Sequence, residues 1–327
     1  MRLGREELQN ILDRAFDSYL ESLPENGLHE RIRYALSGKG KRIRPTLVLM
    51  GHLLFDEDPE AALPAALAVE VFHNFTLVHD DIMDNAPLRR GRATVHSKWD
   101  SNGAILSGDA MLIEAYSLLN RLDTPQRVRV FETFNKTALE VCLGQQYDMD
   151  FEVREDVTES EYLEMIRLKT AVLLGGSLKI GALIAGASDR DAEELYAFGV
   201  EAGIAFQLQD DLLDAFGNPK TFGKQVGGDI LSNKKTYLYI RALEKASAAR
   251  KKELRRHFSQ NVKKAEEAAK VKSVVCLFRS LGIDEDTRKL SDAHFKAALS
   301  HLTRVSAGPF QKRHLRDFIE DLSKRDK

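Results

Sequence analysis

The chain has 327 residues, 43% hydrophobic and 30% charged, with 48 Lys and Arg against 50 Asp and Glu for a net charge of −2. That composition supports a sizeable core and excludes a wholly disordered chain. The charge balance excludes the overall basic footprint of a nucleic-acid binder, and the length admits one large domain or two ordinary ones.

The N-terminal residues 1–16 mix charged and apolar side chains like a surface helix, without a signal-peptide core. Leu8, Ile11, Leu12, Ala15, Phe16 and Tyr19 fall on one stripe of it. After turn signals at 24–27 comes a glycine-spaced basic turn, Gly38-Lys39-Gly40-Lys41-Arg42-Ile43-Arg44-Pro45, running into an apolar helix. The apolar stretches 47–55 and 61–72 are interrupted by His52, Pro64 and Glu70. Both fall short of the ~20 residues a membrane span needs, so no span is expected and the protein is expected to be soluble and cytoplasmic. Further punctuation lies at 84–94, 123–125, 186–189 and 217–228. A second helical stripe joins Leu195, Phe198, Ala202 and Ala205. No alternating run bounded by turns argues for a strand. Helical patterns of roughly 15–25 residues exceed the ~11–12 average. They predict an all-α, single-domain bundle over 1–327, with ten or more helices around one cavity. Residues 245–272 are dense in Lys, Arg and Glu, and the interleaved acids predict a solvated helical pair without a function. Cys142 and Cys276 have neither disulfide nor metal-ligand spacing and are expected to be buried.

Two acidic clusters carry the chemistry. In FHNFTLVHDDIMDNAPLRRG, Asp80 and Asp84 stand at i and i+4 and so share a helix face, with Asp81 beside them. Three carboxylates so close repel one another, and a hard divalent cation is the usual remedy. Oxygen-only ligands without nearby Cys point to Mg2+ rather than Zn2+. FQLQDDLLD repeats the arrangement at Asp210, Asp211 and Asp214. One such cluster would read as an acidic helix end. Two, each set in apolar sequence, need another reason. Basic residues accompany them: Arg89 and Arg90, the Gly38–Pro45 turn, Lys169-Thr170, Lys224 and Lys234-Lys235. Carboxylates with Mg2+, ringed by Lys and Arg, describe a site for diphosphates.

At these motifs the chain resembles the trans-isoprenyl diphosphate synthases, or polyprenyl synthetases. The resemblance runs from GKGKRIRP through DDIMD, RRG and FQLQDDLLD to NKKTYL. It implies the isoprenoid synthase fold, a homodimer, and Mg2+-dependent condensation of isopentenyl diphosphate with an allylic diphosphate. Gly40, Lys41, Arg44, His73 and Arg90 would bind the isopentenyl diphosphate. Asp80 and Asp84 would hold two Mg2+ ions and Asp210 a third, with Asp81, Asp211 and Asp214 in support. Arg89, Lys169, Thr170, Gln207, Lys224 and Lys234 would meet the allylic diphosphate. Lys39 stands where the family often has glycine. His73, seven residues before Asp80, falls on nearly the same helical face. In the implied reaction the allylic C–O bond ionises, the isopentenyl C=C attacks the cation, and released diphosphate is left as the base. Water must be excluded. Phe75, five residues before Asp80, with Phe72 a turn below and small Thr76 beside it, would floor the growing chain. The resemblance implies a short product, C20 ahead of C15. A non-catalytic partner subunit and a terpene cyclase are the competing readings. The first usually loses motif carboxylates; the second usually lacks the second DDxxD and the Lys41, Arg44, His73 set.

Overall fold

The computed structural model describes residues 3–38, 40–217, 226–260 and 262–324. The helices are α1 (Arg5–Ser22), α2 (Gly27–Leu36), α3 (Ile43–His52), α4 (Leu63–Met83), α5 (Val95–Lys98), α6 (Ser101–Leu119), α7 (Arg127–Val153), α8 (Glu159–Ile166), α9 (Val172–Ile184) and α10 (Asp189–Phe216). They continue as α11 (Gly228–Leu231), α12 (Tyr237–Lys245), α13 (Ala248–Phe258), α14 (Glu267–Ser280), α15 (Ile283–Arg304) and α16 (Pro309–Ser323). The fold is all-α. One departure from the expectation is a two-stranded antiparallel hairpin, β1 (Leu88–Arg89) with β2 (Arg92–Ala93), pairing Leu88 with Ala93 and Arg89 with Arg92. Two-residue strands are too short to leave an alternating pattern in the sequence.

The chain divides into two compact units, each discontinuous in sequence. The first comprises Met1–Asn135, Gly176–Leu195 and Ser306–His314. Its helices start where local chemistry satisfies the free N–H groups. The Asn26 side chain accepts from the N–H groups of Leu28 and His29, and Asp100 accepts from Gly103 at 2.7 Å. Leu8, Leu12, Phe16 and Tyr19 of the predicted α1 stripe are buried. The helix α4 packs against α3 and α6 and is apolar around most of its circumference. Pro64 does not interrupt it, because it falls in the first turn, where no N–H is needed. Glu70 is simply buried within it. With the 3-10 turn before it the helix runs 25 residues, Pro59–Met83, and its most apolar 18-residue window has a mean hydropathy of 1.5, long and apolar enough to cross a membrane. The expectation that this stretch is too short is therefore corrected. Of its apolar window 61% is buried inside the protein, as in a core helix.

The second unit comprises Lys136–Gly175, Tyr196–Val305 and Leu315–Lys327. Its core gathers Phe151, Tyr162, Leu208, Leu212, Tyr237, Leu254, Val274 and Phe278. The helix α8 opens with a capping box in which Thr158 and Glu161 exchange hydrogen bonds. A π-helical turn, Arg167–Ala171, joins α8 to α9. Both cysteines are exposed, against the expectation of buried thiols. Cys142 and Cys276 stand on helix faces pointing away from buried Val141 and from buried Val274 and Phe278. Most of the charged segment 245–272 is solvated, except that Lys270 is buried and donates to Asn233 Oδ1 at 2.6 Å and to the Gln260 carbonyl at 3.0 Å.

Candidate active site

In the first unit the acidic motif ends α4. Asp80 and Asp81 lie in its last turn, and Asp84 is the C-cap, its N–H still bonded to the Asp80 carbonyl at 2.9 Å. Asn85 then takes a left-handed φ of 47°, which stops the helix. The chain returns through the hairpin, whose turn residues Arg90 and Gly91 have φ of 52° and 76°, the signature of a type I′ turn. This return delivers Arg89 to the aspartates. Its Nε donates to Asp81 Oδ1 at 2.7 Å and a terminal nitrogen to Asp80 Oδ2 at 3.0 Å. The carboxylate repulsion read as calling for a metal ion is here relieved in part by an arginine fork. Burial pushes the Asp81 carboxyl up, and the Arg89 charge opposes it.

The basic turn divides its labour. Arg42 is the N-cap of α3 in a left-handed conformation, φ 44°, pairs with Asp13 at 2.6 Å and covers the Phe16 ring. Lys41 stays exposed. A terminal nitrogen of Arg44 reaches His73 Nε2 at 3.0 Å. Since a guanidinium only donates, the imidazole Nε2 accepts and the ring is neutral. Burial, with the Arg44 and Arg90 charges, holds His73 well below its ordinary value. Burial also pushes Arg44 down to about 10, against the pull of Glu70. The Arg44 Nε is buried without a partner. A Cβ on Gly40 would stand 2.5 Å from an Arg90 nitrogen, so the missing side chain there admits the Arg90 guanidinium. A pocket beside the hairpin is lined by Tyr34, Asn74, Asp81, Arg89, Arg90 and Arg92, among others.

In the second unit α10 carries Gln207, Asp210, Asp211 and Asp214. Asp211 is buried and accepts from the Tyr162 hydroxyl at 2.6 Å and from Gln207 Nε2 at 3.1 Å. Thr170 donates to Gln207 Oε1 at 3.3 Å, which ties the π turn to α10. Burial and the charge of Asp229, with a smaller effect from Asp210, push the Asp211 carboxyl up to about 8. Asp214 accepts from the N–H groups of Gly228 at 3.1 Å and Asp229 at 3.0 Å, so it fastens the start of α11. Lys169, inside the π turn, pairs with Asp148 Oδ2 at 2.5 Å, and Lys234 lies 3.6 Å from the same oxygen. Lys235 turns elsewhere: its ammonium caps the carbonyls of Phe151, Glu152 and Arg154 at the end of α7. Lys224 lies outside the described residues.

Sequence reasoning missed Glu70, Asp148, Tyr162 and Asp229. Glu70 carried a signal, an acid in an apolar run three residues before His73, but it was read only as an interruption. Asp148 and Tyr162 carried none, because their partners are distant in the chain.

Residues 25–275 match the polyprenyl synthetase family. The chain is 44% identical over 236 residues to the geranylgeranyl diphosphate synthase of Methanosarcina mazei, covering 72% of this chain and 73% of that one. A crystal structure of a geranylgeranyl pyrophosphate synthase superposes with a TM-score of 0.95 at 44% identity, over 99% of this chain and 100% of that one. The geranylgeranyl pyrophosphate synthase from Corynebacterium glutamicum, solved with isoprenyl diphosphate and magnesium, gives 0.88 at 26% identity, over 99% and 100%. The chain belongs to the polyprenyl synthetase family. It is a short-chain prenyltransferase, whose reaction is the magnesium-dependent condensation of isopentenyl diphosphate with an allylic diphosphate.

Among the described residues no three acidic, His or Cys side chains already converge on one ion position. The donor chemistry nevertheless fits a hard divalent ion. Asp80, Asp84 and Asp210 offer carboxylate oxygens alone, and the Asp211 carboxyl beside Asp210 is raised first by burial and then by the Asp229 charge.

Proposed function

We propose that the product is a short trans-prenyl diphosphate, C20 ahead of C15, built at the residues assigned above. Arg44, Lys41, His73, Gly40 and Arg90 take the isopentenyl diphosphate. Arg89, Lys169, Thr170, Gln207 and Lys234, with Lys224 beyond the described residues, take the allylic diphosphate. Asp80, Asp84 and Asp210 hold magnesium, three ions in all, with Asp81 and Asp211 beside them. Bound there, magnesium would supply positive charge against the departing diphosphate. Arg89 holds Asp80 and Asp81 through its Nε and one terminal nitrogen, and its remaining N–H donors can address the allylic diphosphate.

The observation that carries this reading is Arg44. Its buried Nε has no partner, and its terminal nitrogen meets a neutral His73 rather than a carboxylate. A buried guanidinium with an unused donor suits an anionic ligand. For chain length the support is aromatic. Phe75 stacks edge-on with His79 at 4.9 Å, and Phe72 lies 5.6 Å from Phe75 and 5.3 Å from Phe134. Thr76, a small residue, donates to the His73 carbonyl at 2.7 Å.

Incubating the protein and Mg2+ with an allylic diphosphate, with and without isopentenyl diphosphate, tests the reading. Elongation is expected only with both, with the product length read by mass. Hydrocarbon from the allylic substrate alone would mean a cyclase, and no turnover a non-catalytic partner subunit.

A further inference from the structure

We propose that Asp148 is a positioning residue for the allylic diphosphate, one that holds Lys169 and Lys234 together as a single cationic cradle. The proposal rests on the reading of those two lysines given above. Three features of the second unit converge on it. The first is backbone proximity. A Cβ on Gly144 would lie 2.2 Å from the Lys169 amide nitrogen, so α7 reaches the π turn only because residue 144 has no side chain. Asp148 follows Gly144 by one helical turn and therefore faces the same segment. The second is the π turn itself. Its wider winding shifts the register of the side chains after it, and such turns gather at functional sites. The third is the shared oxygen. Lys169 and Lys234 both address Oδ2, at 2.5 Å and 3.6 Å, so their ammonium groups lie within about 6 Å of each other.

Two like charges at that distance repel, and long lysine side chains left alone would separate into solvent. The Asp148 side chain is only 13% exposed, so its attraction for both is weakly screened. One carboxylate against two ammonium groups leaves a net positive charge, which a diphosphate oxygen can use without either lysine moving far. Burial pulls the Asp148 carboxyl upward, yet the Lys234 and Lys169 charges outweigh it and keep it below the usual range. Preorganised cations matter most where charge grows, on the leaving diphosphate in the transition state. The loss of Asp148 should therefore fall on kcat and spare the isopentenyl side.

The test compares Asp148→Asn and Asp148→Glu with the parent, each with Mg2+ and with each substrate varied in turn. For Asp148→Asn, kcat should fall about tenfold or more. Its KM for isopentenyl diphosphate should stay within about twofold and its melting temperature should hold. Asp148→Glu should recover part of kcat. In a Lys169→Ala, Lys234→Ala background, adding Asp148→Asn should cost little, because nothing remains to position. Parent-like kcat in a folded Asp148→Asn protein would overturn the proposal. So would equal rises in KM for both substrates, or full additivity with the lysine changes. A parent that does not elongate at all defeats the underlying reading of the two lysines, and Asp148 with it.

Discussion

Arg44 and His73 show how a buried pair can be tuned for an anion. The histidine is kept neutral by burial and by the adjacent guanidinium, and as an acceptor it orients the arginine. This has a consequence for stability. In the unfolded chain the ring takes a proton near pH 6.5, while in the folded protein it resists one. Below that pH the unfolded state binds more protons, so folding stability is lost as pH falls, by up to about 1.4 kcal/mol per pH unit for one group. Thermal melts between pH 7.5 and 5 should show this loss, and His73→Gln should reduce it; parallel curves would remove His73 as a contributor. At the same scale, Phe75→Ala opens the position next to Thr76, and the product should lengthen by at least one five-carbon unit when its mass is measured. An unchanged product would exclude Phe75 from the floor.

At the scale of elements, the site depends on irregularities between helices. The type I′ hairpin turns the chain back so that Arg89 meets the aspartates that precede it by a single helix end. Gly91 meets no atom within 4 Å of a built Cβ, so its requirement is purely the positive φ of 76°. Gly91→Val should then cost about 1–2 kcal/mol through backbone strain, and Gly91→Asn distinctly less, in urea unfolding. Gly144 works differently, through contact. A methyl group there would strike the Lys169 backbone, and Gly144→Ala should destabilise the protein by about 1–3 kcal/mol and lower turnover with it. An alanine variant with parental stability would show that α7 can withdraw from the π turn freely. Neither device has a periodic signature. Helical stripes reveal which face is buried, as the buried Leu195, Phe198, Ala202 and Ala205 confirm. They do not reveal where a helix must be loosened or approached.

For the whole molecule, the two acidic motifs fall in different compact units, the first within Met1–Asn135 and the second within Tyr196–Val305. The homodimer that the family resemblance implies would need an apolar surface, and Ile105, Leu106 and Ile113 of α6 are 43%, 61% and 66% exposed along one side. Burying what remains exposed of such side chains stabilises association by about 1–2 kcal/mol each. Sedimentation velocity should show a dimer for the parent and a shift toward monomer for Leu106→Asp. A monomeric parent would remove the dimer from the reading.

The helical class, the two aspartate motifs with their i, i+4 spacing, and the cations that accompany them were all legible in the order of residues. These are local patterns, and local spacing on a helix is fixed by backbone geometry alone. Which charges meet was settled by packing in three dimensions. Arg89 bridges Asp80 and Asp81, Arg42 leaves the basic turn for Asp13, and Lys235 caps a helix. Asp148 and Tyr162 join Lys169 and Asp211 across 21 and 49 residues of chain. The thiols of Cys142 and Cys276 came out exposed for the same reason. Partner choice depends on how folded segments pack, and an apolar or charged residue read alone carries no record of the distant group placed against it.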